Sequence, residues 1–170
     1  ASVPRVDRIM GPGNAYVAEA KLQLVNSVAI DSPAGPSELL VLADASANAE
    51  AMAREMLAQA EHDPDAAVIA VLAGDDVDDL ASRVRDALAA QIAVAPRAEV
   101  VMQSLRERGA IVTVSSLDEA IVFTNEWAAE HLLLVVRDAV RDRTLAALRS
   151  AGTIFVGCLL YTSPSPRDRG

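Results

Sequence analysis

The chain has 170 residues, of which 52% are hydrophobic and only 3% aromatic, and its formal net charge is −9. This length and apolar content allow one domain with a real core, or parts of two, and argue against a disordered chain. The scarcity of aromatic rings and the acidic surface argue against nucleic-acid and anionic-lipid partners, which a negatively charged protein repels.

Other features of the sequence bear on the compartment of the protein. No stretch approaches the roughly 20 apolar residues of a membrane span, and no basic-then-apolar segment indicates a signal peptide. Cys158 is the only cysteine, so no intrachain disulfide can form and a reducing compartment is compatible. We therefore expect a cytoplasmic protein. Because the chain opens on Ala1-Ser2-Val3 without a Met, we also expect an internal piece of a longer protein.

The first predicted element is a helix from Ala15 to about Val25, and it follows the loop Gly11-Pro12-Gly13-Asn14. Asn14 is a good N-cap, and the glycines let a backbone come close to a ligand at the positively polarised start of a helix. The alternative is an ordinary turn with a cap and no ligand.

A second loop of small residues, Ile30 to Glu38, leads directly into an apolar run that starts at Leu39. Within this loop, the Ser37 hydroxyl can hydrogen-bond a polar substrate. The alternative is structural, because Pro33 and Pro36 would also stiffen a crossover between two lobes.

The next element is an amphipathic helix from Ser46 to His62, whose apolar residues have the spacing of one buried stripe. Near its end, Gln59 and His62 place an amide oxygen and an imidazole three residues apart. Such a pair can coordinate one metal ion. The carbonyls of the last turn favour a cation or a protonated imidazole there. Asp63-Pro64 then ends the helix. The alternative is a surface Gln and a terminal His without a ligand, because two ligands are only half of a zinc site.

Short apolar runs and helical patterns alternate along the rest of the chain. Apolar runs without polar alternation, separated by helices, predict a parallel sheet covered on both faces and therefore an α/β fold. Such sheets bind ligands at the carboxyl ends of their strands, so we expect Gln59 and His62 to point into a common pocket there. The predicted strands are Leu39–Ala43, Val68–Ala73, Ala110–Val114, Leu132–Val136 and Thr153–Val156, and the predicted helices are Asp75–Gln91, Arg97–Arg108, Ser116–Glu126 and Asp138–Ser150, with a capping box at Ser116 and Glu119.

Glu130 and His131 stand where a helical pattern meets the strand from Leu132. At such a turn both side chains can converge on one pocket, which we expect to be the pocket of Gln59. A carboxylate that activates water and an imidazole that takes a substrate proton then form a general acid/base pair. The alternative is a chance adjacency of two polar residues.

The segment from Cys158 to Gly170 breaks the pattern of the chain. It has neither helical nor strand periodicity and offers no core face. We expect this tail to be disordered. The sequence thus divides into the end of one lobe with its crossover (1–36), an α/β lobe that carries the site (37–157) and the tail (158–170).

Five motifs in order resemble the histidinol dehydrogenase family. Over residues 3 to 157 the order and spacing match those of the family, whereas a single motif would be weak. The motifs are Gly11-Pro12-Gly13-Asn14-Ala15-Tyr16-Val17 with Glu19-Ala20-Lys21, Ile30 through Glu38, Gln59-Ala60-Glu61-His62, Glu130-His131-Leu132, and Ala151 through Gly157.

The resemblance implies a zinc-dependent, NAD-linked homodimer that oxidises L-histidinol to L-histidine through a bound aldehyde. Its fold would consist of incomplete Rossmann-like, aldehyde-dehydrogenase-like lobes covered by helices. Asn14 would contact NAD, and Ser37 would bind the substrate. Gln59 and His62 would be zinc ligands that also hold the substrate through the metal.

The resemblance also implies a division of labour between the acid/base residues. His131 would bind the substrate and accept the alcohol proton, and Glu130 would activate the water that hydrates the aldehyde. The zinc ion would mainly orient the imidazole and amine of the substrate.

The chain departs from the family pattern in three respects. The family supplies an acidic zinc ligand and a later His beyond Gly157, where this chain continues into the unrelated tail, and NAD contacts upstream of the first loop are absent. We therefore expect an inactive fragment. Two alternatives remain open: a related zinc/NAD dehydrogenase of another small polar alcohol, and a catalytically silent α/β interaction module, which zinc titration would distinguish.

Overall fold

The computed structural model describes residues 4–11, 15–31 and 37–157. The chain separates into two compact units, Ala1–Pro36 and Ser37–Gly170. Asn14, the loop residues around it and the tail from Cys158 lie outside the described residues, so the predictions made for them stay predictions.

The first unit contains one helix and two short parallel strands. They are β1 (Arg8–Ile9), α1 (Ala15–Leu24) and β2 (Ala29–Ile30). The predicted helix from Ala15 is present and ends one residue earlier than expected. The two strands were not predicted, because two residues are too few to show a strand period.

The second unit is a five-stranded parallel sheet in the order β5-β4-β3-β6-β7. Each pair of consecutive strands is joined by one or two helices, as a parallel connection requires. The strands are β3 (Glu38–Asp44), β4 (Ala67–Ala73), β5 (Gly109–Val114), β6 (His131–Val135) and β7 (Thr153–Val156), and the helices are α2 (Ala49–Ala60), α3 (Val77–Ile92), α4 (Ala98–Arg108), α5 (Leu117–Trp127) and α6 (Asp138–Ala147).

The central strand β3 explains why the sheet is covered on both sides. Successive side chains of a strand point to opposite faces. Leu39 and Val41 are buried in a core with α2, α3 and α4, whereas Leu40 and Leu42 are buried in a second core with α5 and the end of α6. The predicted α/β fold is thus confirmed. No helix in the described ranges is long and apolar enough to cross a membrane.

The helix ends follow from local hydrogen bonds. Helix α2 starts three residues later than predicted, because Ser46 is bonded to Asp44 and Asn48 is the residue that caps the helix by accepting from the Ala51 N–H. Helix α5 has the predicted cap, a 3.2 Å bond from the Glu119 N–H to Ser116 Oγ. The second half of the predicted capping box is different, since the Glu119 carboxylate accepts from the backbone N–H and the hydroxyl of Ser115.

Two further helix boundaries differ from the prediction. Helix α3 begins at Val77 rather than Asp75, and α6 ends at Ala147 rather than Ser150. In α6 the next residue, Leu148, has extended backbone angles (φ −79°, ψ 128°) that end the helix. Periodicity alone does not locate such ends to better than a few residues.

Candidate active site

The candidate residues of the second unit lie at the edge of the sheet where its parallel strands begin, which we call the amino edge. Ser37 directly precedes β3, and its carbonyl accepts from the first residue of β4, the Ala67 N–H, at 3.2 Å. Glu130 precedes β6, and His131 is its first residue. Gln59 lies in the last turn of α2, and His62 lies just beyond it.

This location corrects the expectation that the site lies at the carboxyl ends of the strands. Helix α2 connects the end of β3 to the start of β4. It therefore runs back across the sheet, and its last turn reaches the amino edge. The prediction was wrong because it applied a rule about loops that follow strands to residues that precede them.

His131 and Gln59 also lie on the same side of the sheet. In the register His131 is beside Leu39, and alternation places it on the face of Leu133, which is buried with α2 in the first core. Its ring lies 6.1 Å from that of Phe155, which packs against the same core. Gln59 is buried on α2, where the prediction placed it at the border of the apolar stripe. One face and one edge of the sheet thus hold both residues.

Three side-chain polar atoms in the described part of the chain are buried without a hydrogen-bond partner: Gln59 Nε2, His131 Nδ1 and Thr124 Oγ1. The first two share the face of the sheet that α2 covers. Buried side-chain polar atoms in folded proteins nearly always have a partner, because an unpaired one costs about 1–3 kcal/mol. If the side-chain amide group of Gln59 is flipped, its nitrogen and oxygen exchange places. Either atom can therefore face a ligand. Gln59 Nε2 and His131 Nδ1 are therefore candidate contacts for a ligand.

Glu130 and His131 are close to each other but are not hydrogen-bonded. Glu130 Oε2 lies 3.9 Å from His131 Nδ1, which is beyond hydrogen-bond reach. The Glu130 side chain is 55% exposed and that of His131 30% exposed. The carboxylate is therefore accessible to water, while the imidazole is turned towards the interior.

His62 differs from Gln59 in its surroundings. Its backbone N–H donates to the Gln59 carbonyl at 3.2 Å and continues the turn beyond α2, and its side chain is exposed. An amide oxygen and an imidazole nitrogen are both donors that zinc accepts. Among the described residues no three His, Cys, Asp or Glu side chains form a group that could hold a metal ion.

The opposite edge of the sheet, where the strands end and which we call the carboxyl edge, holds a buried carboxylate that was not predicted. Asp44 ends β3 and accepts from the Ser46 N–H (3.0 Å), the Ser46 hydroxyl (2.5 Å) and the Arg137 N–H (3.1 Å). Arg137 Nε lies 3.3 Å from its second oxygen. Burial raises the pKa of Asp44, but the bonds from Ser46 and Arg137 outweigh it and hold the pKa below its usual range.

A second unpredicted interaction lies within the first unit. The Lys21 ammonium is buried and donates to Asp31 Oδ1 (2.6 Å) and to the Gly11 carbonyl (2.5 Å), while the Gly11 N–H donates to Asp31 Oδ2 (2.7 Å). The hydrogen bond from Lys21 lowers the pKa of Asp31, and the Gly11 N–H lowers it further. A buried lysine in a short helix was visible in the sequence only as part of a family motif.

Two grooves in the described part of the chain lie away from the candidate residues. A groove of ≈ 520 Å³ runs between the first turn of α2 and the second half of α3, and one of ≈ 250 Å³ lies beside Gly74 and Ser115 at the carboxyl edge. Both are wide open. Neither has a buried, unpaired polar atom in its lining, so they carry less chemical information than the amino edge.

The sheet order and the helices on both faces define the class of fold, a Rossmann-like α/β lobe of the aldehyde-dehydrogenase type. A Staphylococcus aureus AldH in its substrate-bound state superposes on 87% of this chain and 46% of its own, with a TM-score of 0.55 and 18% identity. At this identity the likeness shows the fold alone.

The particular family follows from closer matches. The family model described as histidinol dehydrogenase matches residues 1–166. A histidinol dehydrogenase of Methanosarcina mazei is 44% identical over 156 residues, 92% of this chain and 35% of the relative. The crystal structure of histidinol dehydrogenase from Elizabethkingia anophelis covers 91% of this chain with 38% identity and a TM-score of 0.81. The chain belongs to the histidinol dehydrogenase family.

Two features of the matches concern the extent of the chain. The chain spans 35% of the length of both of these relatives. The family match also reaches residue 166 and so includes part of the segment after Gly157 that the sequence analysis had assigned to an unrelated tail.

Proposed function

We propose that the full-length protein containing this chain oxidises L-histidinol to L-histidine through bound histidinal, the last steps of histidine biosynthesis, in the cytoplasm. Family membership supports the substrate. The observation that carries the proposal for the site is the pair of buried, unpaired atoms at the amino edge, Gln59 Nε2 and His131 Nδ1. His131 Nδ1 lies 3.9 Å from a carboxylate oxygen of the exposed Glu130 side chain.

The proposed reaction would use two cofactors. Gln59 and His62 would hold a zinc ion, which when bound orients the imidazole and amine of the substrate. NAD, when bound near Asn14, takes up a hydride in each of the two oxidations.

The residues of the chain bind the substrate and move its protons. Ser37 hydrogen-bonds the substrate, and an imidazole nitrogen of His131 accepts the hydroxyl proton as the adjacent C–H bond breaks. A carboxylate oxygen of Glu130 then accepts a proton from water, whose oxygen bonds to the aldehyde carbon. The resulting hydrate would give up its one remaining C–H hydrogen as a hydride to the oxidised cofactor and its remaining hydroxyl protons to His131 and solvent, and so become the carboxylate. The half exposure of Glu130 suits a residue that must meet water.

We further propose that the enzyme is a homodimer whose sites are completed across the interface. The 170-residue chain by itself is then expected to lack measurable dehydrogenase activity. Two protein ligands leave half of a four-coordinate zinc site to water, so zinc binds weakly.

The test compares this chain with the full-length protein by following NADH absorbance after addition of zinc, NAD and L-histidinol. We expect turnover only in the full-length protein, and loss of that turnover in Gln59→Ala and His62→Ala. Robust turnover by the 170-residue chain would overturn the fragment proposal, and full turnover in both variants without added metal would overturn the zinc assignment.

The assignment of Glu130 has its own test in the full-length protein. In Glu130→Gln we expect oxidation of supplied histidinal to fall by about 10²–10⁴-fold, the usual contribution of a general base, while the first NADH formed from L-histidinol is largely spared. Only the second oxidation needs an activated water. Equal loss of both steps would contradict this role.

A further inference from the structure

The segment between α5 and Glu130 contains an unusual turn. Helix α5 ends at Ala128, which is left-handed (φ 55°, ψ 48°) and whose N–H donates to the Thr124 carbonyl. A non-glycine residue rarely adopts this conformation, which costs roughly 1 kcal/mol. The next residue, Ala129, is buried. The surrounding structure must therefore hold this turn in place.

The start of β7 supplies part of that support. The Gly152 N–H donates to the Ala129 carbonyl at 3.1 Å, and the Thr153 N–H donates to the Glu130 carbonyl at 2.9 Å. The peptide groups on both sides of Glu130 are thus bonded to the same short segment. This pairing fixes the backbone from which the Glu130 side chain projects, whereas His131 is also paired with Leu39 of β3 on its other side.

Gly152 is required for this close approach. A Cβ atom at residue 152 would lie 2.7 Å from the Glu130 carbonyl oxygen and 3.5 Å from its Cα. The first distance is shorter than atoms of real side chains allow, and the obstacle is backbone, which cannot swing aside as a side-chain tip can. Any larger residue at this position must displace the Glu130 backbone.

Asn125 connects the same two segments from the other side. Its Nδ2 donates to the Ala147 carbonyl at the end of α6 (3.0 Å), and its Oδ1 accepts from the Arg149 N–H (2.8 Å). Asn125 lies in the last turns of α5, three residues before Ala128. The Asn125 side-chain amide therefore links α5, which precedes Glu130, to the turn after α6, which precedes Gly152.

We propose that Asn125 and Gly152 are positioning residues that together set the location of Glu130 for the second oxidation. This inference rests on the proposed function, in which Glu130 activates water. Neither residue touches the reacting atoms. Their effect is exerted through the Ala129 and Glu130 peptides, and it is expected to fall more on water activation than on the first hydride transfer.

The chain offers a matched control for Gly152→Ala. At Gly109, the first residue of edge strand β5, an added Cβ would lie 2.5 Å from the Leu105 carbonyl oxygen. Gly109→Ala therefore makes the same chemical change with a similar backbone clash. Three strands, β4, β3 and β6, lie between β5 and β7 in the sheet. This clash is therefore far from the Gly152 contact.

The experiment measures two rates in the full-length protein for each variant, the first NADH formed from L-histidinol and the NADH formed from supplied histidinal. In Gly152→Ala we expect the histidinal rate to fall about tenfold to a hundredfold more than the first, the scale on which small misplacements act. In Gly109→Ala we expect both rates to fall together, in proportion to the folded fraction found by thermal unfolding.

Asn125→Ala keeps the inference testable if Gly152→Ala does not fold. It should shift the two rates in the same direction and by a smaller factor, because the pairing of β7 remains. An unchanged ratio in Asn125→Ala, or the same ratio in the two glycine variants, overturns the positioning role. An unchanged ratio in Glu130→Gln would instead overturn the proposed function of Glu130, which separates the two failures.

Discussion

The two edges of the five-stranded sheet differ in whether their buried polar groups are hydrogen-bonded. At the carboxyl edge, Asp44 is buried and accepts hydrogen bonds from Ser46 and Arg137. At the amino edge, Gln59 Nε2 and His131 Nδ1 are buried and unpaired within the described residues. A paired buried group contributes to stability, whereas an unpaired one lowers it and is tolerated where a ligand supplies the partner. The comparison separates the end that holds the sheet together from the end proposed to react.

The topology makes this contrast informative. In open α/β sheets the usual ligand crevice lies at the carboxyl ends of the two central strands, where the strand order reverses. Here those strands are β3 and β6. Asp44 and Arg137 bridge them at that point. The fold rule alone would have placed the site at an end that is already bonded, so the site has to be argued from its side chains.

The largest change in the free energy of unfolding is expected for a substitution at the carboxyl edge. In Asp44→Ala the free energy of unfolding should fall by about 2 kcal/mol, because the variant removes a charged acceptor shared by Ser46 and Arg137. Urea unfolding of the 170-residue chain, followed by the fluorescence of its single tryptophan, Trp127, measures this change.

A matched control exists for that measurement. Asp86 is an exposed aspartate on α3, and Asp86→Ala should change the free energy of unfolding by less than about 0.5 kcal/mol. Equal effects of the two substitutions would show that the Asp44 bonds contribute nothing and that the edges do not differ in stability.

A smaller effect of opposite sign is expected at the unpaired edge. Gln59→Met keeps the length of the side chain and removes the buried unpaired amide, so the free energy of unfolding of the metal-free chain should rise by about 1 kcal/mol. In the full-length protein with added zinc the order should reverse, because Gln59→Met removes one of the proposed ligands and so weakens the binding of the ion that stabilises the folded state.

The control for Gln59→Met is Gln103→Met, the same change at an exposed position of α4. We expect it to lie within about 0.5 kcal/mol of the unchanged chain. Destabilisation by Gln59→Met without metal would mean that the amide has a partner in the free protein, and the contrast between the edges would disappear.

The smallest expected effect is on the pH dependence of stability. The folded pKa of Asp44 lies below its unfolded value of 3.8, so its contribution is fully present above about pH 4 and is lost as the pH falls through the folded pKa. The stability difference between the unchanged chain and Asp44→Asn should therefore shrink with acidification. A difference that stays constant from pH 7 to pH 3 would contradict the lowered pKa.

The α/β fold could be predicted from the sequence because it depends on local patterns, apolar runs and helical periodicities, that recur along the chain. The apolar run from Leu39 to Ala43 and its four counterparts are the five strands of the sheet, and the helix with the Gln59–His62 pair is present with revised ends. The edge on which the candidate residues lie was predicted wrongly, as the carboxyl edge. Predicting it requires the direction of α2 across the sheet, which depends on the pairing of β3 with β4 rather than on any motif.

The remaining features depend on contacts between residues distant in sequence. The bond of Arg137 to Asp44 joins residues 93 positions apart, and the bonds of Asn125 join positions 22 and 24 apart. Nothing in the local pattern marks these residues. Gly152 was part of a quoted motif, but its requirement for close approach to Glu130 becomes visible only when β7 is placed beside β6.

The most direct test of the central claim is to locate zinc in crystals of the full-length protein by anomalous X-ray scattering at the zinc edge. The site proposed here predicts one ion at the amino edge on the α2 side, roughly 2.0–2.2 Å from a Gln59 oxygen and a His62 nitrogen. An ion bound elsewhere, such as beside Asp44 at the carboxyl edge, would contradict it. So would Gln59 and His62 side chains whose tips stay more than about 6 Å apart in every rotamer, because one ion cannot span that distance.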